Sequence, residues 1–455
     1  MGDGLTAALE KMRADGAPEV AIENFRHYYE RLAAGETGTL PEDEIEPVEE
    51  LPSAADLPEP GDDEREVLDR AVTIRLNGGL GTSMGMTGPK SLLEVKDGLT
   101  FLDIIARQVL RFRERHGVRL PLVLMHSFRT REESLKALAR YPELQVDVPL
   151  DFLQGRVPKL RVDDLTPVEW PDDPELEWAP PGHGDLYASL VTSGVLDQLL
   201  EHGYEYAFVA NSDNLGAIVE PRILAWFARE RLPFLMEVLR RGESDRKGGH
   251  IARRKGDGLV LRETAQVRDE DQEAYEDISR HRYFNCNNLW INLPNLKRVL
   301  EERHGVLGLP MIVNKKTVDP GDPDSPAVYQ LETAMGAAID VFEGAQAIEV
   351  PRSRFAPVKT TNDLLVVRSD AYELTSEMEM RLVRDEPPLV DLDPRYYKLL
   401  RDFDARFPAG PPSLKECDRL EVHGDVVFGR GVVIRGSVRI EGDRRIEDGA
   451  VIEGD

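Results

Sequence analysis

Val72-Thr-Ile-Arg-Leu-Asn-Gly-Gly-Leu-Gly-Thr-Ser-Met-Gly-Met-Thr-Gly-Pro-Lys-Ser-Leu92 is the stretch on which the reading of the chain turns. Val72, Ile74 and Leu76 alternate with Thr73 and Arg75, which predicts a strand. Asn77, Gly78, Gly79 and Gly81 then predict a turn. A strand feeding a glycine-rich turn can bring bare backbone N–H groups against phosphate oxygens, an approach that a Cβ would block. Lys90, in the same loop, supplies a point charge suited to phosphate. Two familiar nucleotide loops fail on spacing. A Walker A loop needs Gly directly before Lys, and here Pro89 separates Gly88 from Lys90. A dinucleotide fingerprint counted from Gly79 and Gly81 meets Met84 where its third glycine belongs.

Composition narrows the partners. The chain has 455 residues, with 57 Lys and Arg against 84 Asp and Glu and a net charge of −27. That length allows more than one domain. The charge argues against nucleic acid or an anionic membrane surface as partner. An acidic protein that holds polyphosphate must concentrate its cations locally, and a divalent metal serves the same end. Cys286 and Cys417 are the only cysteines, with no Cys/His cluster, so a reduced, cytoplasmic setting without structural zinc is expected. No basic-then-apolar leader and no run of membrane-spanning length occurs, so a soluble chain is expected.

Residues 1–35 read as helix, followed by an acidic, proline-bearing linker or draped arm over 35–65. Downstream of the glycine loop, helices are expected over 101–116, 132–140 and 186–200, with strands over 120–125, 145–153 and 206–209. This alternation implies a parallel sheet covered on both faces, whose functional side chains gather past the strands' carboxyl ends. His126 and Gln154 fall at such places. So does Asp213, in Asn211-Ser-Asp-Asn214, where it could hold Mg²⁺ or the segment could be a plain Asx turn. Strands over 234–239, 247–251 and 259–263 read as a meander, and residues 329–338 begin polar and become helical. Asn285, Asn287, Asn288 and Asn292 could bind sugar hydroxyls or serve turns and caps. Arg352, Arg354 and Lys359 form a cationic group beside an apolar run.

The tail is a repeat. Val422, Phe428, Ile434, Ile440, Ile446 and Ile452 recur every six residues. Leu420, Val426, Val432, Val438 and Ala450 form a second series at that period, broken at Arg444. Inward aliphatics at this spacing with turn glycines predict a parallel β-helix over 418–455. So short a stack leaves open ends, so it is expected to pack on the preceding domain, on another subunit, or both.

The 76–91 loop, Met125-His-Ser-Phe128, Pro181-Gly-His-Gly-Asp-Leu-Tyr-Ala-Ser189, Asn211-Ser-Asp-Asn-Leu-Gly-Ala217, Phe284-Asn-Cys-Asn-Asn-Leu-Trp290, Gln330-Leu-Glu-Thr-Ala334 and the 351–361 segment together resemble the eukaryotic-type UDP-glucose pyrophosphorylases, in the family's order. The resemblance implies an α/β fold: a nucleotidyltransferase-type mixed or parallel, Rossmann-like core with a C-terminal left-handed parallel β-helix. It divides the chain into an N-terminal segment (1–70), a catalytic domain (71–375) and a C-terminal linker with β-helix (376–455). It implies transfer of uridylyl from UTP to glucose 1-phosphate, with Mg²⁺ as cofactor. By motif position, Leu76, Asn77, Gly78 and Gly79 would line the UTP site with Lys90 on the phosphates. Gln154 and Gly182 would contact the uracil or its ribose. His183, Asn211, Asn288 and Glu332 would face the sugar phosphate, Asp213 would hold Mg²⁺, and Lys359 would act beside Lys90 at the reacting phosphates. His126 stands where the family often has Asn, and residues 30–65 match it little. The glycines around His183 suggest that its imidazole donates a hydrogen bond rather than moving a proton. Self-associating relatives use the β-helix, which makes an end-to-end homo-oligomer an expectation. Two other readings stay open: a relative preferring galactose or N-acetylglucosamine 1-phosphate, and a catalytically silent sugar-nucleotide-binding protein on the same fold.

Overall fold

The computed structural model describes residues 2–61, 63–256 and 258–454. Its centre is a large mixed sheet. Tyr206–Asn211, Ala71–Asn77, Leu122–His126 and Asp151–Leu153 lie side by side and parallel. Leu122–His126 and Tyr206–Asn211 carry nearly continuous apolar runs because both faces are covered, as parallel sheets require, whereas Ala71–Asn77 alternates and buries Thr73 and Arg75 as well. The long Tyr283–Asn292 strand runs antiparallel to Tyr206–Asn211 and makes the sheet mixed. Phe234–Arg240 pairs with Tyr283–Asn292 on one side and Gln346–Glu349 on the other. Helix Phe101–His116 starts at a reciprocal Thr100/Asp103 cap and stops at Gly117, whose φ of 65° favours a residue without Cβ. Its apolar face buries Phe101, Ile104 and Ile105.

Three expectations are corrected and one is refined. The strand expected over 145–153 shrinks to Asp151–Leu153, because Gln145 Nε2 turns back onto the Val146 and Val148 carbonyls at 3.2 and 2.9 Å. The three strands read as a meander are not one. His250–Arg254 pairs with Leu259–Arg262, whereas Phe234–Arg240 lies across Tyr283–Asn292 from them. The polar start of the 329–338 segment is the strand Ala327–Thr333, and the helical end is a 3₁₀ helix, Met335–Asp340. The acidic arm is more than a linker, since Ile45–Pro47 adds an antiparallel edge strand against His250–Arg254. Glu42 anchors it through Arg262, Arg280 at 2.7 Å and His281 at 3.0 Å.

Helices Gly2–Ala14 and Glu19–Ala33 bury Met12, Ile22, Phe25 and Tyr29 against Val157, Leu160 and Met311. At the other end, Leu389–Leu392, Ser413–His423, Val433–Glu441 and Val451–Glu453 stack as a parallel ladder. Val426–Phe428 and Arg444–Ile446 form a second ladder. From Arg419 onward, each residue's ladder partner on the C-terminal side lies 18 residues further along the sequence, as in the Arg435–Glu453 pair. Both six-residue series point inward: Leu420, Val422, Val426, Phe428, Val432 and Ile434 are fully buried. They share one core with Met84, Phe101 and Leu364, so the tail packs on the segment that carries the glycine loop.

Candidate active site

Strand register assembles the site. Asn77 lies opposite His126, His126 opposite Leu153, and Asn211 opposite Leu76, so neighbouring carboxyl ends meet at one level. Leu76, Asn77, Gly78, Gly79, Lys90, Gln154, Gly182, His183, Asn211 and Asp213 line a single cleft there. This is where side chains gather in open α/β sheets.

The glycine loop folds back on itself: the Lys90 N–H donates to the Gly79 carbonyl at 3.0 Å, and Leu80 bridges Pro89. A Cβ on Gly78 would press on Gln154 Oε1 at 3.1 Å, whereas one on Gly79 would meet nothing within 4 Å. Gly78 is therefore needed for close packing, and Gly79 leaves its backbone open. Gly182 has a φ of 78°, and a Cβ there would collide with the Thr333 carbonyl. Beneath the loop, Asn77 Nδ2 donates to Ser134 Oγ at 3.0 Å and faces His126 Nδ1 at 3.2 Å. His126 is fully buried, and burial pulls its imidazole down to about 4 against an opposing pull from Asp151.

Lys90 Nζ is ion-paired with Asp213 Oδ2. The Asx-turn alternative applies one residue further on, where Asn214 Oδ1 accepts from the Gly216 N–H at 3.2 Å and the Ala356 N–H at 2.9 Å. Asp213 is thus left to the cleft. His183 Nδ1 accepts the Met335 N–H at 2.9 Å, which puts the ring proton on Nε2. Burial lowers this imidazole to about 4, so it is neutral near pH 7 and offers an N–H donor.

Three expected residues stand outside this lining. Asn288 is completely buried and spends its amide on Glu237 Oε2 at 2.9 Å, Asn214 at 3.2 Å and the Arg354 carbonyl at 3.3 Å. It positions the Asp213 turn from below. Glu332 lies behind Gly182, 4.0 Å from Lys316, and lines a different cavity. Lys359 is exposed and lines a neighbouring hollow with Arg352 and Asp363. Its segment still runs beside the cleft, because the Val358 N–H donates to the Asp213 carbonyl at 3.3 Å and Pro357 bridges Asn214.

The expected cationic group is divided. Arg354 is buried against Glu237 at 2.6 and 2.7 Å, and Arg352 pairs with Asp245 at 2.7 Å. Among the described residues, Lys359 alone of the three makes no ion pair within 4 Å. Of the four asparagines, Asn285 and Asn287 bond each other at a bulge where Asn287 has a φ of 57°. Asn292 caps the Leu293–Glu302 helix. Sequence reasoning missed Ser91, Met125, Pro180 and Ser212 as lining. It also missed Glu237, whose signal was a lone carboxylate inside the apolar Phe234–Arg240 run.

The family model described as UTP–glucose-1-phosphate uridylyltransferase matches residues 22–435. The protein of that name from Hordeum vulgare is 40% identical over 464 residues, covering 99% of this chain and 95% of its own. That from Solanum tuberosum is 42% identical over 422 residues, covering 91% and 84%. The UDP-glucose pyrophosphorylase of Leishmania major superposes with a TM-score of 0.95 at 46% identity, over 100% of this chain and 99% of its own. A point mutant of that enzyme was solved in complex with UDP-glucose, with a TM-score of 0.95 at 45% identity over 100% and 99% of the two chains. With a cleft built from the family's motifs and a likeness that runs almost from end to end, the chain belongs to the UTP–glucose-1-phosphate uridylyltransferase family.

Proposed function

We propose that this protein makes UDP-glucose and pyrophosphate from UTP and α-D-glucose 1-phosphate. The observation that carries the reading is the convergence of the 76–79 loop, Lys90, Gln154, His183, Asn211 and Asp213 on one cleft. An oxygen of the sugar phosphate attacks the α-phosphorus of UTP in line. The bond from that phosphorus to the α,β-bridging oxygen breaks, and pyrophosphate leaves with the electron pair. The attacking oxygen is already ionised near neutral pH, so no general base is required. Repulsion between two anions dominates the barrier, and catalysis is positioning and charge neutralisation.

Each residue then has a task. The backbone of Leu76 to Gly79 receives the nucleotide, with Lys90 on its phosphates. Gln154 and Gly182 flank the base and ribose. His183 donates its Nε2–H to the sugar phosphate, and Asn211 adds an amide. Lys359, which makes no ion pair within 4 Å among the described residues, approaches the reacting phosphates from the segment tied to Asp213. Glu332 supports the Gly182 turn from behind, and Asn288 acts through Asn214.

Asp213 is the one acidic residue among those lining the cleft, and among the described residues no cluster of His, Cys, Asp or Glu forms a cage. That donor set fits Mg²⁺, which takes one or two carboxylates together with substrate phosphates and water. Once bound with nucleotide, the ion would neutralise charge along the triphosphate.

We read residues 1–70 as a brace, 71–375 as the catalytic domain, and 376–455 as a linker with a left-handed β-helix. The 18-residue repeat of the parallel ladder supports the last assignment. Val451, 52% exposed on the final strand of that ladder, suits an end-to-end contact between copies. Among the described residues no helix is long and apolar enough to cross a membrane, and we assign the enzyme to the cytoplasm.

Pyrophosphate release from UTP, glucose 1-phosphate and Mg²⁺ tests the activity, and no release refutes it. Galactose and N-acetylglucosamine 1-phosphates in the same assay decide the sugar. Light scattering that finds a monomer at micromolar concentration would remove the end-to-end contact.

A further inference from the structure

A second cleft lies beside the strand that feeds the glycine loop, and its lining shares no residue with the first. Thr73 and Arg75, two residues apart on one strand face, form its floor with Gln108 from helix Phe101–His116. All three are more than nine-tenths buried, at 2%, 2% and 7% exposure. Their hydrogen bonding is incomplete in a patterned way. Arg75 donates through Nη2 to the Ala217 carbonyl, while among the described residues Nε and Nη1 have no partner. Thr73 Oγ1 has none. Gln108 Nε2 donates to the Leu215 and Met378 carbonyls at 3.2 and 2.9 Å, which leaves Oε1 as an unmet acceptor.

Charge points the same way. Phe208 is flanked by two guanidinium groups, Arg75 and Arg354, each 5.8 Å from its ring. Glu237 is held by Arg354, which leaves Arg75 the surplus buried cation. Burial pulls Arg75 down to about 9, with Arg354 adding to the fall and Glu237 opposing it, so it is cationic at neutral pH. A buried unpaired cation is costly unless an anion or other acceptor meets it. The rim carries both signs, Arg111 and Arg115 against Glu377 and Glu379, so the floor decides what binds.

We propose that this cleft is a binding site for inorganic phosphate, with Arg75 and Thr73 donating to its oxygens and Gln108 Oε1 accepting from its protonated oxygen. The acceptor on the floor selects the ligand. Inorganic phosphate at neutral pH retains at least one proton to donate, whereas sulfate has none and would set its oxygens against Gln108 Oε1. Arg75 and Gln108 also hold the Ala217 and Leu215 carbonyls, so the bound ion steadies the turn that carries Asp213.

The test is calorimetric titration of phosphate and of sulfate into the full chain saturated with UDP-glucose, together with crystals soaked in phosphate. The expected results are phosphate bound at least tenfold tighter than sulfate and phosphate density hydrogen-bonded to Arg75. Thr73→Val, which removes one hydroxyl, is expected to weaken phosphate about tenfold, and Arg75→Lys tests the fork while keeping the charge. Ordered water alone at Arg75, equal binding of sulfate, or unchanged affinity in a folded Thr73→Val protein overturns the proposal. Because the ion's position is read directly, a failure here is separate from any failure of the nucleotide-site reading.

Discussion

Replacing Lys90 with Met tests whether the Lys90–Asp213 pair belongs to the chemistry or only to the resting fold. The two side chains are 17% and 22% exposed, so the pair is neither deeply buried nor free in water. Pairs near a surface contribute about 0–1 kcal/mol, and losing this one should cost little stability. Losing a charge that acts in the transition state costs on the order of 10²–10³ in kcat, about 3–4 kcal/mol. The expectation for Lys90→Met is a near-normal melting temperature with kcat down by at least about 10². A cycle with Asp213→Asn sharpens the test. If Lys90 serves the phosphates while Asp213 serves the cation, their losses multiply in the double variant, to about 10⁴. If each exists only to pair with the other, the double variant is no slower than either single one. Stopped-flow pyrophosphate release at saturating UTP and glucose 1-phosphate reads both. A Lys90→Met rate within about threefold of wild type, against the cost expected for a transition-state charge, or a double variant equal to a single one, would refute the reasoning.

Lys359→Ala should lower kcat far more than it changes the KM for UTP, and steady-state kinetics that show only a KM change would remove Lys359 from the transition state. His183→Gln should keep most of the rate, and the wild-type pH–rate profile should have no inflection from His183 near pH 6.5, since its imidazole is pulled down to about 4. His126 and His183 both have folded values near 4, below the ordinary 6.5, so the unfolded chain binds more protons between those limits. Their contribution to stability is therefore fully present above pH 6.5 and falls as the pH drops toward 4. His126→Asn should flatten that slope in denaturant titrations, and an unchanged slope would exclude His126. Deleting 418–455 strips Leu420, Val422 and Phe428 from a core shared with Met84 and Phe101, so it should lower the melting temperature and loosen the glycine loop. An unchanged melting temperature would contradict the shared core.

What could be read from the sequence depended on how local the cause was. The Ala71–Asn77 strand and its turn were legible because alternation and glycines act within a few residues. The Phe101–His116 helix was legible from end to end, since its cap, its apolar face and its terminal glycine are all local. The parallel pairing of the tail was legible through its period of six. The edge strand Ile45–Pro47 was not, because its partner is more than 200 residues away and its own composition is that of a solvated arm. The strand Ala327–Thr333 was read only as a polar start, although the helical stretch after it, Met335–Asp340, was legible. At the site, the residues expected on strand ends come together in one cleft, since register carries them to one level. Asn288 was read as a sugar-phosphate contact because its type suits ligands, and Arg354 as one of a cationic group. Glu237, the buried carboxylate that engages both, showed in the sequence only as a lone acid in an apolar run.

The division of labour between cations follows from their shapes. Arg354 holds Glu237 through two parallel bonds, and Arg352 holds Asp245 in the same manner. A planar fork matched to a carboxylate gives up both bonds to leave, so these arginines fix the segment that lies against Asn214. Lys90 holds Asp213 by a single ammonium on a flexible stem, and Lys359 is free of any ion pair within 4 Å among the described residues. An ammonium of this kind changes partners cheaply. A chain with a net charge of −27 has to move positive charge onto an incoming polyphosphate without letting its own acids reclaim it. Under the proposed roles of Lys90 and Lys359, arginines committed to structure and lysines to the reacting phosphates would meet that requirement. It also implies that Lys90→Arg is not a conservative change. A guanidinium in that place would grip Asp213 with two bonds and withhold both groups from the nucleotide, so Lys90→Arg should lose activity even though the charge is kept.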